Sequence, residues 1–372
     1  MEELSNSTGI LNWNYELAMT LIVIDIFLGI YIVVGVLGNV MIIYIYKVRL
    51  DIKTDDRIFI LALAAVDIVV CVTGPAFSLT RNILPVAFYG NTTCKILWFF
   101  TKAMNAVSVE LVLVIGIERY LKICRPFGMQ MNNQAKIIIL ALSIIICFIG
   151  HAPIFFFYDQ IPVQNIPLNI TGSRCGRIHS PEYPLSDTGY IYLLVIFVLA
   201  VGTLGLIVLL YVLIGRRIYK RIQQKRERSM SKYSFEPDPA SEPMSTTTEH
   251  ETFKQSNSCV KANEQTPSVQ RTPGRRRSSS VTLKNWREKH RYSLMFLIIA
   301  GTCVVTYIPT LIVNLAINLD SAEFWNFTSP SLRQLYLYFF QVYIVNHVVN
   351  PFIYGYCDRA FRKEMKKMLC RK

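Results

Sequence analysis

The 372-residue chain is 52% hydrophobic and only 17% charged, with a mean hydropathy of +0.35, which is too apolar for a soluble globular chain of this length. Its net charge of +14 comes with no nucleic-acid motif, and the basic residues gather in a few hydrophilic segments. A membrane home therefore follows, the charge bears on orientation and lipid contact, and a nucleic-acid partner is excluded.

In chain order, residues 1–17 read as a polar N-terminus with Glu2 and Glu3 but no Lys or Arg, so they lack the basic start of a cleaved signal peptide. A helix needs about 20 apolar residues to cross a bilayer. Seven stretches qualify, near 18–46, 58–80, 95–123, 136–158, 189–214, 293–318 and 334–356. The chain thus divides into 18–227 with five spans, a loop at 228–283, 284–356 with two more spans, and a tail at 357–372. Ser, Thr, Glu, Pro and Gln dominate the loop, which predicts disorder. Its run Arg275-Arg276-Arg277-Ser278-Ser279-Ser280 suits a basic-directed kinase or stays a solvated charge run. The basic flanks Arg216 to Arg228 and Lys284 to Arg291 predict helix extensions near anionic lipid. In the tail, Phe361, Met365, Met368 and Leu369 recur at helical spacing opposite lysines, which predicts an amphipathic helix along the inner leaflet. Cys370 beyond it is either palmitoylated or a free thiol.

Lys47, Arg49, Lys53 and Arg57 follow the first span and Arg216, Arg217, Lys220 and Arg221 follow the fifth, so the positive-inside rule places the N-terminus outside. The glycosylation acceptors Asn6, Asn91, Asn169 and Asn326 all fall in segments assigned outside. Of nine cysteines only Cys94 and Cys175 lie on that oxidising side, so they are the natural pair for one disulfide.

The last span ends in Asn350-Pro351-Phe352-Ile353-Tyr354, and the third ends in Glu118-Arg119-Tyr120 followed by Ile123-Cys124-Arg125-Pro126-Phe127. Gly38-Asn39-Val40 lies in the first span and Leu63-Ala64-Ala65-Val66-Asp67 in the second. Four such motifs in this order resemble the rhodopsin-like (class A) G-protein-coupled receptors. The resemblance implies an all-α membrane protein, a seven-transmembrane helix bundle with a short amphipathic C-terminal helix, at the plasma membrane. Its implied partners are a heterotrimeric G protein, an extracellular ligand, membrane lipid, arrestin and receptor kinases. Glu118, Arg119, Tyr120, Phe127, Tyr211 and Tyr354 match the coupling and activation positions, and Tyr307 and Pro309 the switch of the sixth span. Cys94 and Arg119 stand 25 residues apart, about 37 Å of helix, enough to span the bilayer core with some tilt.

Asp67 lies in mid-span, where a carboxylate is expensive and marks function. With Asn39, Ser108, Asn346 and Asn350 it matches the polar cluster that binds a sodium ion in similar receptors; ordered water is the alternative. No other cofactor is implied. Several positions depart from the family. Cys303, Thr306 and Tyr307 replace its usual Phe, Cys and Trp, Ser143 replaces a Trp, Thr203 a Pro, and Lys289 stands where relatives carry a Glu that locks the arginine. The last of these predicts repulsion of Arg119 and ligand-free signalling.

Thr101 stands where amine receptors carry Asp, and Ile344 where opsins carry the retinal-binding Lys, so peptides, lipids and small anions remain as ligands. Arg81, Lys102 and Arg333, with Asn105, Asn314 and Tyr338 deeper, offer cations and hydrogen-bond donors to an acidic group. The alternative is that Arg81 and Arg333 snorkel to the interface. Pro75 and the long loop bearing Cys175 resemble peptide receptors, which favours a neuropeptide-like ligand. A transporter would show repeated halves or several intramembrane ionisable groups, and apart from Asp67 the chief one is Glu110. An enzyme is disfavoured because His151, His179, His250, His290 and His347 share no metal-ligand spacing. A seven-helix ligand-binding protein without G-protein output stays as the rival.

Overall fold

A computed structural model describes residues 2–50, 57–165, 167–178, 186–234, 291–319 and 329–370. Lys289, Asn326 and most of the 228–283 loop, Arg275 to Ser280 among it, lie outside the described residues. Helix α1 runs Glu2–Tyr44 and continues through a π-helical turn at Ile45–Arg49. The polar N-terminal residues are therefore helical from Glu2. They gain neighbours that lipid does not supply: the Asn14 side chain donates to the Ile83 carbonyl at 2.9 Å and accepts from the Val86 N–H at 3.2 Å.

Helix α2 spans Arg57–Ile83, α3 Asn91–Cys124 and α4 Asn133–His151. Asn132 caps α4 by accepting the Ala135 N–H at 2.7 Å. After the four-residue helix α5, Ile154–Phe157, two antiparallel strands follow, β1 Tyr158–Asn165 and β2 Ile170–Arg177. Nothing in the sequence announced this hairpin, because Pro162 sits in mid-strand and cannot donate to a ladder. Asn169 makes its turn with φ of 50°, a region that asparagine tolerates.

Helix α6 covers Ser186–Ser234, so helix replaces the loop expected from 228. Two compact units divide the chain, 1–217 with 290–372, and 218–289. Helix α7 is Arg291–Leu319, with Pro309 inside it. The seventh span comes in two pieces, α8 Pro330–Gln341 and α9 Ile344–Cys357, joined by a turn at Val342 and Tyr343. Among the described residues six helices are long and apolar enough to cross a membrane as single rods, and the broken seventh joins them. Helix α10, Arg359–Leu369, is the expected amphipathic one.

Helix α3 is the strut: it packs against α2, α4 and α7, and Met104, Val107, Leu111, Val112 and Ile115 are buried along it. Outward-facing apolar residues, such as Ile137, Ile145 and Ile149 on α4 and Val195, Val198 and Leu206 on α6, stay exposed as lipid requires. Gly38 permits α1 to touch α9, since a Cβ there would lie 2.5 Å from Pro351 Cγ. That contact sets two of the motif segments side by side.

Tyr46 and Asp358 fasten α10. The Tyr46 hydroxyl donates to Asp358 Oδ2 at 2.6 Å, and Oδ1 accepts the Ala360 N–H at 2.9 Å. Phe361, fully buried, lies against the Tyr46 and Tyr354 rings. On the outer face Glu364 joins Lys367 at 2.6 Å and Arg49 at 3.3 Å; the Lys367 hydrogen bond holds its carboxyl below the usual range. Cys370 is exposed, as either fate of that thiol requires.

Candidate functional site

Three polar layers lie along the bundle. The first begins where Cys94 of α3 and Cys175 of β2 are bridged, with Cα atoms 5.5 Å apart. Asn91, one turn before Cys94, and Asn169 at the hairpin turn are exposed at this end, and the side chain of Asn6 and all of Asn326 lie outside the described residues. Below the bridge opens a cavity of about 280 Å³ lined by α2, α3, α4, α6, α7, α8 and the turn before α9.

Trp98 organises its cationic wall. Arg81 Cζ lies 4.7 Å from the Trp98 ring centroid and Lys102 Nζ lies 5.3 Å from it, with Phe340 also 5.3 Å from Lys102. These are cation–π distances. Among the described residues neither Arg81 nor Lys102 makes an ion pair. Thr101, Asn105 and Asn314 line the cavity as expected. Glu110 lines it too, and accepts from the Thr203 hydroxyl at 3.3 Å.

Two expected residues do not line this cavity. Arg333 is buried, only 8% exposed, and so does not snorkel. It approaches Arg174 of β2, whose guanidinium is brought down to about 9 by burial first and then by the positive charges of Arg81 and Arg333. Tyr338 points outward, 39% exposed, with its ring against Phe27. Phe340, two positions on and so on the opposite face of α8, lines the cavity in its place, with Tyr343 of the turn beside it.

The second layer surrounds Asp67. Asn39, Asp67, Ser108, Asn346 and Asn350 are all buried to 1% exposure or less. His347 stands among them, 0% exposed. Its Nδ1 is 2.8 Å from Asp67 Oδ1, while Asn350 Nδ2 donates to Oδ2 at 2.5 Å. Ser108 Oγ lies 3.4 Å from the same His347 nitrogen. Asn39 donates to the backbone carbonyls of Gly35 and His347, each at 2.9 Å. Asn346, expected beside the carboxylate, makes no hydrogen bond with its buried amide.

This arrangement does not fit a sodium ion on Asp67. A hard cation needs oxygen ligands, the carboxylate foremost, and here each carboxylate oxygen faces a nitrogen of α9. Sequence reading passed over His347 because it sought metal-ligand spacing. The usable signal was helical: Tyr343, His347 and Asn350 stand at i, i+4 and i+7 on one face. Tyr307 joins the two layers, its hydroxyl 3.3 Å from His347 Nε2 and 3.3 Å from Asn105 Oδ1.

The third layer is ionic. Glu118, 1% exposed, meets Arg119 at 2.9 Å, Lys122 at 2.8 Å and Lys136 of α4 at 3.2 Å. Lys136 was not foreseen, since a buried lysine reads as a core error until its carboxylate is known. Arg119 also lies over the Phe296 ring, Cζ 4.9 Å from the centroid. Tyr211, beside Gly116, and Tyr354 are buried and their hydroxyls make no hydrogen bond among the described residues. Phe127 is fully exposed in the turn after α3, and Tyr120 is half-buried.

Comparison with known proteins agrees with this plan. The profile described as 7 transmembrane receptor (rhodopsin family) matches residues 38–354. The human cholecystokinin receptor type A is 24% identical over 341 residues, which cover 88% of this chain and 76% of that receptor. A bombesin receptor of Bombina orientalis is 27% identical over 202 residues, 54% of this chain and 51% of its own. A muscarinic acetylcholine receptor of Gallus gallus is 28% identical over 144 residues, 38% of this chain and 22% of its own. With the family profile spanning the bundle from the first span to the Asn350-Pro351 motif, the chain belongs to the rhodopsin family of seven-transmembrane receptors.

Proposed function

We propose that this receptor sits in the plasma membrane with its N-terminus outside and converts the binding of an extracellular peptide into activation of a heterotrimeric G protein. Arrestin and receptor kinases act on the same cytoplasmic face, and α10 lies on the inner leaflet. The observation that carries the ligand class is the pair Arg81 and Lys102, both at cation–π distance from Trp98, two cations in an apolar cavity with no ion pair among the described residues. Such a wall favours a carboxylate or another anion, because charge-assisted hydrogen bonds in a dry pocket are about twice as strong as neutral ones. A volume of about 280 Å³ is at the low end for a ligand site, so it takes the acidic end of a peptide and leaves the remainder to the hairpin. Cholecystokinin and bombesin, for which two of the relatives are named, are peptides.

Cells expressing the chain should be screened against a peptide library with calcium and cyclic-AMP readouts. An activating acidic peptide is expected, and Arg81→Gln or Lys102→Gln at equal surface expression should lower its potency by at least about tenfold, some 1.4 kcal/mol. Responses confined to lipids or small anions would overturn the peptide reading. Unchanged potency in both variants would overturn the anionic seat.

A further inference from the structure

We infer that His347 does in this receptor what a mobile cation would otherwise do: it compensates Asp67 from within the chain, so that the buried core is closed by a side chain and is indifferent to sodium. The inference stands on geometry. A carboxylate offers two oxygens with about four acceptor sites. Here Oδ1 lies 2.8 Å from His347 Nδ1 and Oδ2 accepts from Asn350 at 2.5 Å, both partners coming from α9. Three residues separate them, so one helical face presents both to the carboxylate.

The imidazole is held at every available point. Its Nδ1 faces Asp67 and Ser108, its Nε2 faces the Tyr307 hydroxyl at 3.3 Å, and its backbone carbonyl accepts from Asn39 at 2.9 Å. A ring fixed from α2, α3 and α7, on a backbone held from α1, cannot swing aside without breaking its buried contacts, each carrying the penalty of an unmade hydrogen bond. An entering cation would have to displace it.

The oxygens a cation would use are nevertheless present. Asn39 Oδ1, Asn346 Oδ1 and Asn350 Oδ1 are buried and make no hydrogen bond among the described residues. Removing the imidazole should therefore uncover an oxygen-rich site around a carboxylate, the donor set that suits a small hard cation. A tethered partner also does something an ion cannot: through Tyr307 it links Asp67 to Asn105 in the cavity wall.

The experiment uses the full-length receptor purified in detergent and follows its thermal unfolding midpoint in sodium chloride and in choline chloride at equal ionic strength. Wild type should give the same midpoint in both salts. His347→Ser, which removes the ring and leaves a hydroxyl, should gain a sodium-specific rise of roughly 2–4 °C, as expected for a ligand that binds only the folded state. Asp67→Asn added to His347→Ser should abolish that rise. A sodium-specific rise in the wild type overturns the inference, and that arm decides alone if the serine variant does not fold. A folded His347→Ser that ignores sodium overturns it too. The readout needs neither ligand nor G protein, so its outcome is separate from that of the peptide screen.

Discussion

Among the buried carboxylates of the described residues, Glu118 and Asp67 are satisfied in opposite ways. Glu118, at the Arg119 end, is surrounded by three side chains of fixed positive charge, two of them buried with it. Asp67, in the middle, meets an imidazole, an amide and a hydroxyl. The first arrangement is held by charge and resists change, because separating any member leaves an uncompensated ion in a dry place. The second is held by directional hydrogen bonds, and one of its members also touches the ligand cavity. We propose that the ionic group acts as a clasp and the hydrogen-bonded group as an adjustable joint between that clasp and the cavity.

The comparison can be broken first at the clasp, where the largest effect is expected. Glu118→Ala leaves Arg119 and Lys136 buried without their carboxylate, a loss of about 3–5 kcal/mol, visible as a large fall in the unfolding midpoint and in surface expression. Glu118→Gln combined with Lys136→Met removes the lysine's charge together with the carboxylate's and should recover the part of the loss that comes from Lys136, leaving the part that comes from Arg119. If Glu118→Ala unfolds at the wild-type temperature, the ionic clasp is not a source of stability.

The joint should respond less. Asp67→Asn keeps the shape and can still accept from one α9 donor, but removes the charge that strengthens both bonds, a loss of about 1.5–3 kcal/mol. In a double-mutant cycle with His347→Ala, a coupling energy of about 0.5–3 kcal/mol is expected for residues in direct contact. Additive effects would mean that the 2.8 Å contact carries no energy.

Much of this difference between clasp and joint was legible in the chain, and the rest was hidden for physical reasons. Spans, the Cys94 to Cys175 pair and the amphipathic α10 follow from hydropathy, compartment and helical period, which are local properties. The seventh span gave no sign of its break, since neither glycine nor proline stands at Val342 or Tyr343 and the turn is made by packing. The side of α8 that meets the cavity carries Phe340 and not Tyr338, two positions away, and helical period alone does not say which face turns inward. His347 and Lys136 were missed because each acquires its meaning only from a carboxylate on another helix, 280 and 18 positions away. The helical form of the N-terminus was not legible because the partners of Asn14, Ile83 at the end of α2 and Val86 just beyond it, are distant in sequence.

A smaller effect tests the far edge of the clasp. Tyr46→Phe removes the hydrogen bond to Asp358, which still accepts from Ala360, and keeps the ring that stacks on Phe361. About 1 kcal/mol should be lost, with faster hydrogen exchange confined to α10. Exchange that quickens throughout the bundle would show instead that Tyr46 supports the whole cytoplasmic-motif region.

The smallest change in stability is expected at Tyr307, and it separates joint from clasp most directly. Its hydroxyl makes two contacts of 3.3 Å, to Asn105 in the cavity wall and to His347 on the Asp67 side. Hydrogen bonds between membrane helices average about 0.6 kcal/mol, so Tyr307→Phe should leave the unfolding midpoint nearly unchanged. The ring stays, its packing against Tyr343 stays, and only the polar link between cavity and core is lost. If the joint transmits ligand binding, the variant should bind an activating peptide with near wild-type affinity yet need several-fold more of it to signal, or signal to a lower maximum. Glu118→Gln, acting on the clasp, should move ligand-free output instead. Measuring binding and G-protein activation in parallel distinguishes the two, because coupling is a free energy shared between sites and not a property of either alone. A Tyr307→Phe receptor that binds and signals as the wild type does would place the route from cavity to core elsewhere, and Tyr343, whose hydroxyl lies within 2.8 Å of where a Gly74 Cβ would be and whose ring faces His347, would be the next residue to change.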